Sequence, residues 1–308
     1  MILLAGIPTE TPMVLVRREL DELGAPYLMF HQREFESTEI EFEISGGALH
    51  GRLRIGDREA RLEDVRAVYN RLMDDQNLPE TIDEPPGSPR RLRCRAVHDT
   101  LTRWCEIAPG RIVNRTAPMG SNGSKPYQAQ LIRSQGFRVP ETLVTNDPEL
   151  VLAFRARHGR VIFKSMSAVR SIVQTLEDDN LDRLDLIRWC PTQFQQFVPG
   201  TNVRVHVVGD DLLATAARTD ATDYRYASRQ VGEAADLEAV RLEDGLAGRC
   251  LALARALGLD FAGIDLKITP DHEVYCFEVN PSPAFSYYEQ GSGQPIAKAV
   301  ARYLAGAA

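Results

Sequence analysis

Lysine is nearly missing from this 308-residue chain. It stands only at Lys125, Lys164, Lys267 and Lys298, so 32 of the 36 basic residues are arginine. Cysteine is sparse too: Cys94, Cys105, Cys190, Cys250 and Cys276 make an odd number with no Cys-x-x-Cys spacing. That argues against a disulfide framework or a cysteine-held zinc ion and fits a reducing cytoplasm. Positive charge is short as well. A formal net charge of -7 argues against a general nucleic-acid binder, which needs a cationic surplus to displace counterions from phosphates. No apolar run comes near the ~18 residues of a membrane span. No basic residue precedes Arg17, so neither a span nor a secretory signal is expected and no membrane partner follows. What the chain does have is 44% hydrophobic residues, enough for two or three packed units.

The first thirty residues read as a β-α-β opening: strand ILLAG, a helix over about Thr11 to Leu23, a turn at Gly24 and strand PYLMF. Gly6, closing the first strand, is read as a tight turn before it is read as a nucleotide-binding signal. Alternating segments EIEFEIS, ALHGRLRIG and EARLED then predict an antiparallel meander, followed by a buried strand RAVYNRLM, a loop DEPPGSP and a helix from about Pro89 to Cys105. After strand RIVN comes helix SKPYQAQLIRSQ, with Ser124 as N-cap and Gly136 as its end. Strands ETLVT, RVIFKS, SIVQTL and TQFQQFV, with a helix over about Asp147 to His158, make an α+β unit. The last third holds strands NVRVHVVG and DLLATAAR, a polar stretch, helix LEDGLAGRCLALARALG, a hairpin FAGIDLKI/EVYCFEVN and a helix from about Pro295 to Leu304. No repeat or low-complexity tract interrupts this order.

The hairpin carries the chemistry. With TPDH as its turn, Asp265 falls opposite Cys276, and strand alternation sets Asp265, Glu278 and Asn280 on one face. Two carboxylates and an amide are oxygen ligands for a hard cation such as Mg²⁺, and a metal accounts for charge in otherwise apolar strands. A sheet face open to water is the other reading. Arg204 and Arg218 recur on neighbouring strands, with Arg225 beyond, and arginine suits bidentate contacts to carboxylate or phosphoryl oxygens. In a chain that otherwise prefers arginine, a lysine can mark a phosphate position, because a compact ammonium fits where a planar fork does not. Chance is the alternative for each lysine, and its surroundings decide. His206, alone on its strand, reads as a packed core histidine.

In their order, SKPYQAQLIRSQGFRVPETLVT, VIFKS, QFQQFVPGTNVRVHVVG, FAGIDLKI and FEVNPSPAFSYYE resemble the ATP-grasp carboxylate-amine ligases, in particular their RimK-like branch. The resemblance covers roughly residues 110 to 308. It implies an α/β and α+β chain with the ATP-grasp fold. A pre-ATP-grasp β-α-β domain would span 1–112, a central lid subdomain 113–198, and a C-terminal subdomain with the metal site 199–308, the last two clasping ATP.

The resemblance also implies roles for particular residues. Lys125 and Lys164 would touch ATP phosphates; Gln195, Gln196, Phe197 and Val198 would form the hinge for adenine, with Asn202 near the ribose. Asp265, Glu278 and Asn280 would hold Mg²⁺, Arg204 and Arg218 would stabilise phosphoryl and acyl-phosphate oxygens, and Arg225 and Ser282 would lie nearer the acceptor. The implied activity is ADP-forming ligation of a peptide, protein or amino-acid carboxylate to an amine. A ligase for a free small acid and a non-catalytic ATP-binding module stand as alternatives, and a homodimer is common in the family. The chain departs from the family at SMSAVRS, which lacks the glycines of a phosphate-covering loop, and at Gln196 and Asn202, where acids are common. The glycine-poor loop, the Q-x-x-V hinge, the D-Y-R triplet and RAVYNRL are also similar to microviridin-type peptide-modifying ligases, whereas SPAFSYYE departs from them.

Overall fold

In the computed structural model, which describes residues 1–165, 173–219, 221 and 232–307, the N-terminal apolar runs form a parallel sheet. Strand β1 (Ile2–Gly6) is followed by helix α1 (Thr11–Glu22) and β2 (Tyr27–His31). A meander β3 (Thr38–Ser45), β4 (Ala48–Ile55) and β5 (Arg58–Arg61) forms its own three-stranded sheet. The chain then returns through β6 (Ala67–Asn70), helix α2 (Pro89–Ile107) and β7 (Arg111–Val113). The parallel order is β2-β1-β6-β7. Its two central strands, β1 and β6, are buried along their whole length because both faces are covered. Ile2, Leu4 and Tyr69 pack in one cluster with Met13 and Val16 of α1, and Leu3, Ala5 and Val68 in another with Trp104 of α2 and Leu53 of the meander.

Helix α3 (Lys125–Ser134) leads to an antiparallel sheet of β8 (Thr142–Thr145), β9 (Val161–Ser165), β10 (Gln174–Thr175) and β11 (Thr192–Gln196), with α4 (Pro148–His158) between β8 and β9. Val161 and Phe194 form a small core with Val151 and Phe154 of α4. The third large sheet, ordered β14-β13-β12-β15-β16, is antiparallel and comprises β12 (Thr201–Val208), β13 (Asp211–Arg218), β14 (Asp236–Val240), β15 (Phe261–Ile268) and β16 (Val274–Asn280). Helix α5 (Asp244–Ala256) buries Cys250 and Leu253 against one face of it. Helices α6 (Ser286–Ser292) and α7 (Ile296–Ala305) close the described chain, and α7 joins the core that α1 and the parallel sheet share. No described helix is long and apolar enough to cross a membrane.

Three elements differ from the sequence reading. The segment DLEAV falls in the polar stretch but pairs with β13 as an edge strand; its side chains are mostly exposed, so the main chain holds it without an apolar alternation to betray it. SYYEQGS forms α6, which inserts Tyr288 into the core. Ser124 sits at the N-cap of α3, but its side chain makes no capping bond. The loop SMSAVRS lies outside the described residues, apart from its first serine, which ends β9. The five cysteines are unpaired, as expected.

Candidate active site

Strands β15 and β16 bring the oxygen ligands together by a route the sequence did not reveal. Leu266, not Asp265, lies opposite Cys276, and the register then shifts at Asp265/Leu266 so that Asp265 faces Glu278. A regular ladder would have set Asp265 against Phe277 and turned Glu278 to the other side of the sheet. The one-residue bulge restores Asp265, Glu278 and Asn280, which lies across from Gly263, to a common face.

Each carboxylate on that face already carries a cation. Lys125 Nζ pairs with Glu278 Oε2. Arg204 Nη1 donates to Asp265 Oδ1 at 2.6 Å, from the adjoining strand β12. Lys125 is placed by Gln128, one turn along α3, whose amide donates to the Val279 carbonyl at 2.8 Å and accepts from the Val279 N–H at 2.9 Å. Arg204 is placed by an absence. A Cβ on Gly263 would lie 2.2 Å from Arg204 Nη2, so the guanidinium reaches Asp265 across the glycine. Asn280 Nδ2 donates to Glu278 Oε1 at 3.3 Å, and a half-turn of that amide would present its oxygen instead. Among the described residues no three His, Cys, Asp or Glu side chains converge as a metal cluster. The set here is two carboxylates and an amide, oxygen donors that suit Mg²⁺ when shared with substrate phosphates.

Behind Arg204 lies His206, fully buried, with neither ring nitrogen hydrogen-bonded. Its ring meets Tyr288 edge-on at 5.1 Å, and the Arg204 guanidinium sits 5.3 Å from the same tyrosine ring. It is the packed core histidine the sequence suggested. Burial, and then the Arg204 charge, hold its imidazole well below the ordinary value. As pH falls the unfolded chain therefore takes up this proton first, near about 6.5. Stability from neutral His206 is present above that value and is lost as pH drops toward the depressed folded one. Between about pH 7.5 and about pH 5 the wild type should lose more stability than His206→Leu, read from urea midpoints. Parallel pH profiles for the two proteins would refute this.

Two of the expected nucleotide residues, Lys164 and Gln195, lie on a different sheet. On β9 and β11, Lys164 pairs with Gln193 and Ile162 with Gln195, so Lys164 and Gln195 share the side opposite the Phe194 core. Gln195 Nε2 donates to Thr142 Oγ1 at 3.0 Å. Gln196 alternates to the other side, where its Oε1 accepts from the Glu141 N–H at 3.4 Å. The Phe197 ring is flanked by Arg160 at 3.9 Å and Lys267 at 5.4 Å, and Val198 is buried. Lys267 lies opposite Asn202 and on the Asp265 face, which connects the hinge to the carboxylates. Burial, then the neighbouring Arg160 charge, lower the Lys267 pKa. Lys164→Ala should weaken ATP binding by about 10-fold, measured by calorimetry. An unchanged affinity would remove Lys164 from the site.

Other expected residues stand apart. Alternation along β13 turns Arg218 away from Thr215, the partner of Arg204, and Arg218 pairs with Glu238 at 2.7 Å on the opposite face. Arg225 lies outside the described residues. Ser282 accepts a hydrogen bond from Arg71 Nη1 at 3.1 Å. Sequence reasoning missed Arg71, Asn114, Gln128, Gly263 and Tyr288. Asn114, at the end of β7, accepts from the N–H groups of Asp260 and Phe261 at 2.9 and 3.0 Å and ties the parallel sheet to β15. A signal existed for Gly263 alone: a glycine inside an apolar strand marks a close approach.

Comparison with known proteins agrees with this architecture. A model of the RimK-like ATP-grasp domain matches residues 128–304. A protein of Parasynechococcus marenigrum named "Probable alpha-L-glutamate ligase" is 25% identical over 214 residues, which cover 64% of this chain and 44% of that protein. The chain thus spans less than half the length of that relative. The RiPP-associated ATP-grasp ligase of Chryseobacterium gregarium, solved with ADP and leader and core peptides, superposes with a TM-score of 0.81 at 22% identity over 100% of this chain and 97% of the other. The ATP-grasp ligase PsnB, solved with minimal precursor, Mg and ADP, superposes with a TM-score of 0.81 at 25% identity over 99% and 96%. The chain has the ATP-grasp fold and belongs to the RimK-like ATP-grasp family.

Proposed function

We propose that this protein is an ADP-forming carboxylate-amine ligase acting on a peptide through an acyl phosphate. The observation that carries this reading is the convergence of Asp265, Glu278 and Asn280 on one face, with Lys125 and Arg204 in contact with the two carboxylates. Peptides in the solved relatives favour a peptide carboxylate over a free small acid.

Asp265, Glu278 and the Asn280 oxygen would hold Mg²⁺, which when bound neutralises charge on the phosphates. Lys125 and Lys164 would bind phosphate oxygens, and Lys125 would leave Glu278 to do so. Phe197 and Val198 would receive adenine, with Gln195 and Gln196 bracing the hinge and Asn202 facing the ribose. In the first step a substrate carboxylate oxygen bonds to the γ-phosphorus, the bond to the β,γ-bridging oxygen breaks, and ADP leaves. In the second an amine attacks the acyl carbon, phosphate departs with the bonding pair, and the amine loses a proton. Arg204 would bear the negative charge developing on the transferring group, already aligned by its bond to Asp265. Arg218 would reach the substrate after a rearrangement that frees it from Glu238, and Arg225 would bind the acceptor. The division 1–112, 113–198 and 199–308 places the metal face in the last part and Lys164 in the lid, and a cytoplasmic location and a homodimer belong to the same reading.

The test is a screen of peptide and amino-acid pools for acceptor-dependent ADP release, with mass spectrometry of the products. A peptide gaining an amide bond supports the proposal. Turnover of free acids alone would make it a small-acid ligase, and ATP binding without phosphate release under any acceptor would make it a binding module.

A further inference from the structure

We propose that Arg71 anchors the carboxylate of the substrate and that Glu10 is an internal carboxylate holding its place until the substrate displaces it; this rests on the ligase reading above. The position of Arg71 in the sheet favours a ligand there. The chain leaves β1 for β2 on one side, and β6 joins β1 on the other. In open parallel sheets such a switch point parts the connections beyond the carboxyl ends of the strands, and ligands bind there. Arg71 is the first residue past β6. Its N–H donates to the Ala5 carbonyl at 2.8 Å, and a Cβ on neighbouring Gly6 would meet the Arg71 carbonyl at 2.9 Å. The two strand ends are therefore fixed against each other.

The side-chain geometry is that of a carboxylate receptor. Arg71 is only 7% exposed, and its Nε donates to Glu10 Oε2 at 2.8 Å while Nη2 pairs with Glu10 Oε1. This two-pronged contact is the one a guanidinium makes best. The Tyr69 ring lies 5.8 Å from the guanidinium carbon. Glu10, at 35%, is far more exposed than the arginine it covers, so it can swing into water. A substrate carboxylate that replaced it would leave the local charge unchanged, and no uncompensated buried charge would arise. The remaining nitrogen, Nη1, donates to Ser282 Oγ at 3.1 Å and to the Pro283 carbonyl at 3.4 Å. Those residues lie two and three positions past Asn280, so Arg71 stands at the end of the carboxylate face opposite the hinge, where the acceptor of the γ-phosphoryl group would enter.

A purely structural Arg71–Glu10 pair predicts different behaviour. The probe is N-acetyl-L-glutamic acid α-amide, a peptide glutamate in miniature, titrated by saturation-transfer NMR into the full chain with ADP and Mg²⁺. Arg71→Met should weaken probe binding about 10-fold, and Glu10→Gln, which removes the competing charge but keeps the shape, should tighten it about 3-fold. ADP affinity should hold in both variants. Probe binding that ignores Arg71→Met, that fails to improve in Glu10→Gln, or that is absent from the wild type overturns the inference. If Arg71→Met does not fold, Glu10→Gln decides alone. Failure of the wild type to bind ADP would instead strike the ligase reading.

Discussion

Glu278→Ala is expected to abolish ADP formation, a drop of about 10³-fold or more, while the fold persists. The side chain sits on the open face of β16, 16% exposed, and contacts Lys125 and Asn280 rather than the core. Its loss should therefore cost about 1 kcal/mol or less in stability. Without it Mg²⁺ would lose one of its two proposed anionic ligands, and Lys125 would lose the carboxylate that holds it. Electrostatic stabilisation of the transferring group is the largest single contribution in such reactions, because little covalent chemistry is left to the protein. Steady-state ADP release and a urea midpoint read the two effects separately. Turnover at the wild-type rate would contradict the metal assignment, and collapse of the fold would contradict the placement.

Gly263→Ala should lower turnover by about 10²-fold with ATP affinity nearly unchanged. The new methyl group would occupy the space of the Arg204 guanidinium, 2.2 Å from Nη2. Arg204 is held on one side by its pair with Asp265 and on the other by Tyr288, so it must leave Asp265 rather than slide. A displacement of about 1 Å in a positioning group costs roughly that factor. Parting this buried pair should also lower stability, which a urea midpoint reads separately from turnover. Wild-type turnover in this variant would mean that the Arg204–Asp265 contact is irrelevant to the chemistry. Gly263→Ala and Glu278→Ala together also separate two contacts of one face, since the first leaves the Lys125–Glu278 pair in place and the second leaves the Arg204–Asp265 pair.

Local patterns carried much of this protein. The parallel sheet, helices α1, α2 and α4, the β12–β13 pair and the β15–β16 hairpin are legible because apolar residues repeat with periods of two or 3.6, and because glycine and proline mark the turns. That Glu278 and Asn280 share a face was legible for the same reason, since they are two apart; the pairing that brings Asp265 to them was not, because it depends on the bulge. Strand β14 was not, since it buries little and is held by main-chain bonds that any sequence can make. Nor was the fate of Arg218, whose spacing from Arg204 says nothing about which side of β13 it takes once β12 fixes the register.

Amino-acid order by itself determined the strands, the oxygen donors and the family's series of segments, because these depend on neighbours a few residues away. Tertiary structure decided what those donors meet. A bulge between Leu266 and Asp265 turned Glu278 to the right side, a missing Cβ at Gly263 let Arg204 across, and Arg71 came to Ser282 from 211 residues away. Such contacts are fixed by packing between sheets, where a shift of one residue reverses a side chain and no local periodicity records it.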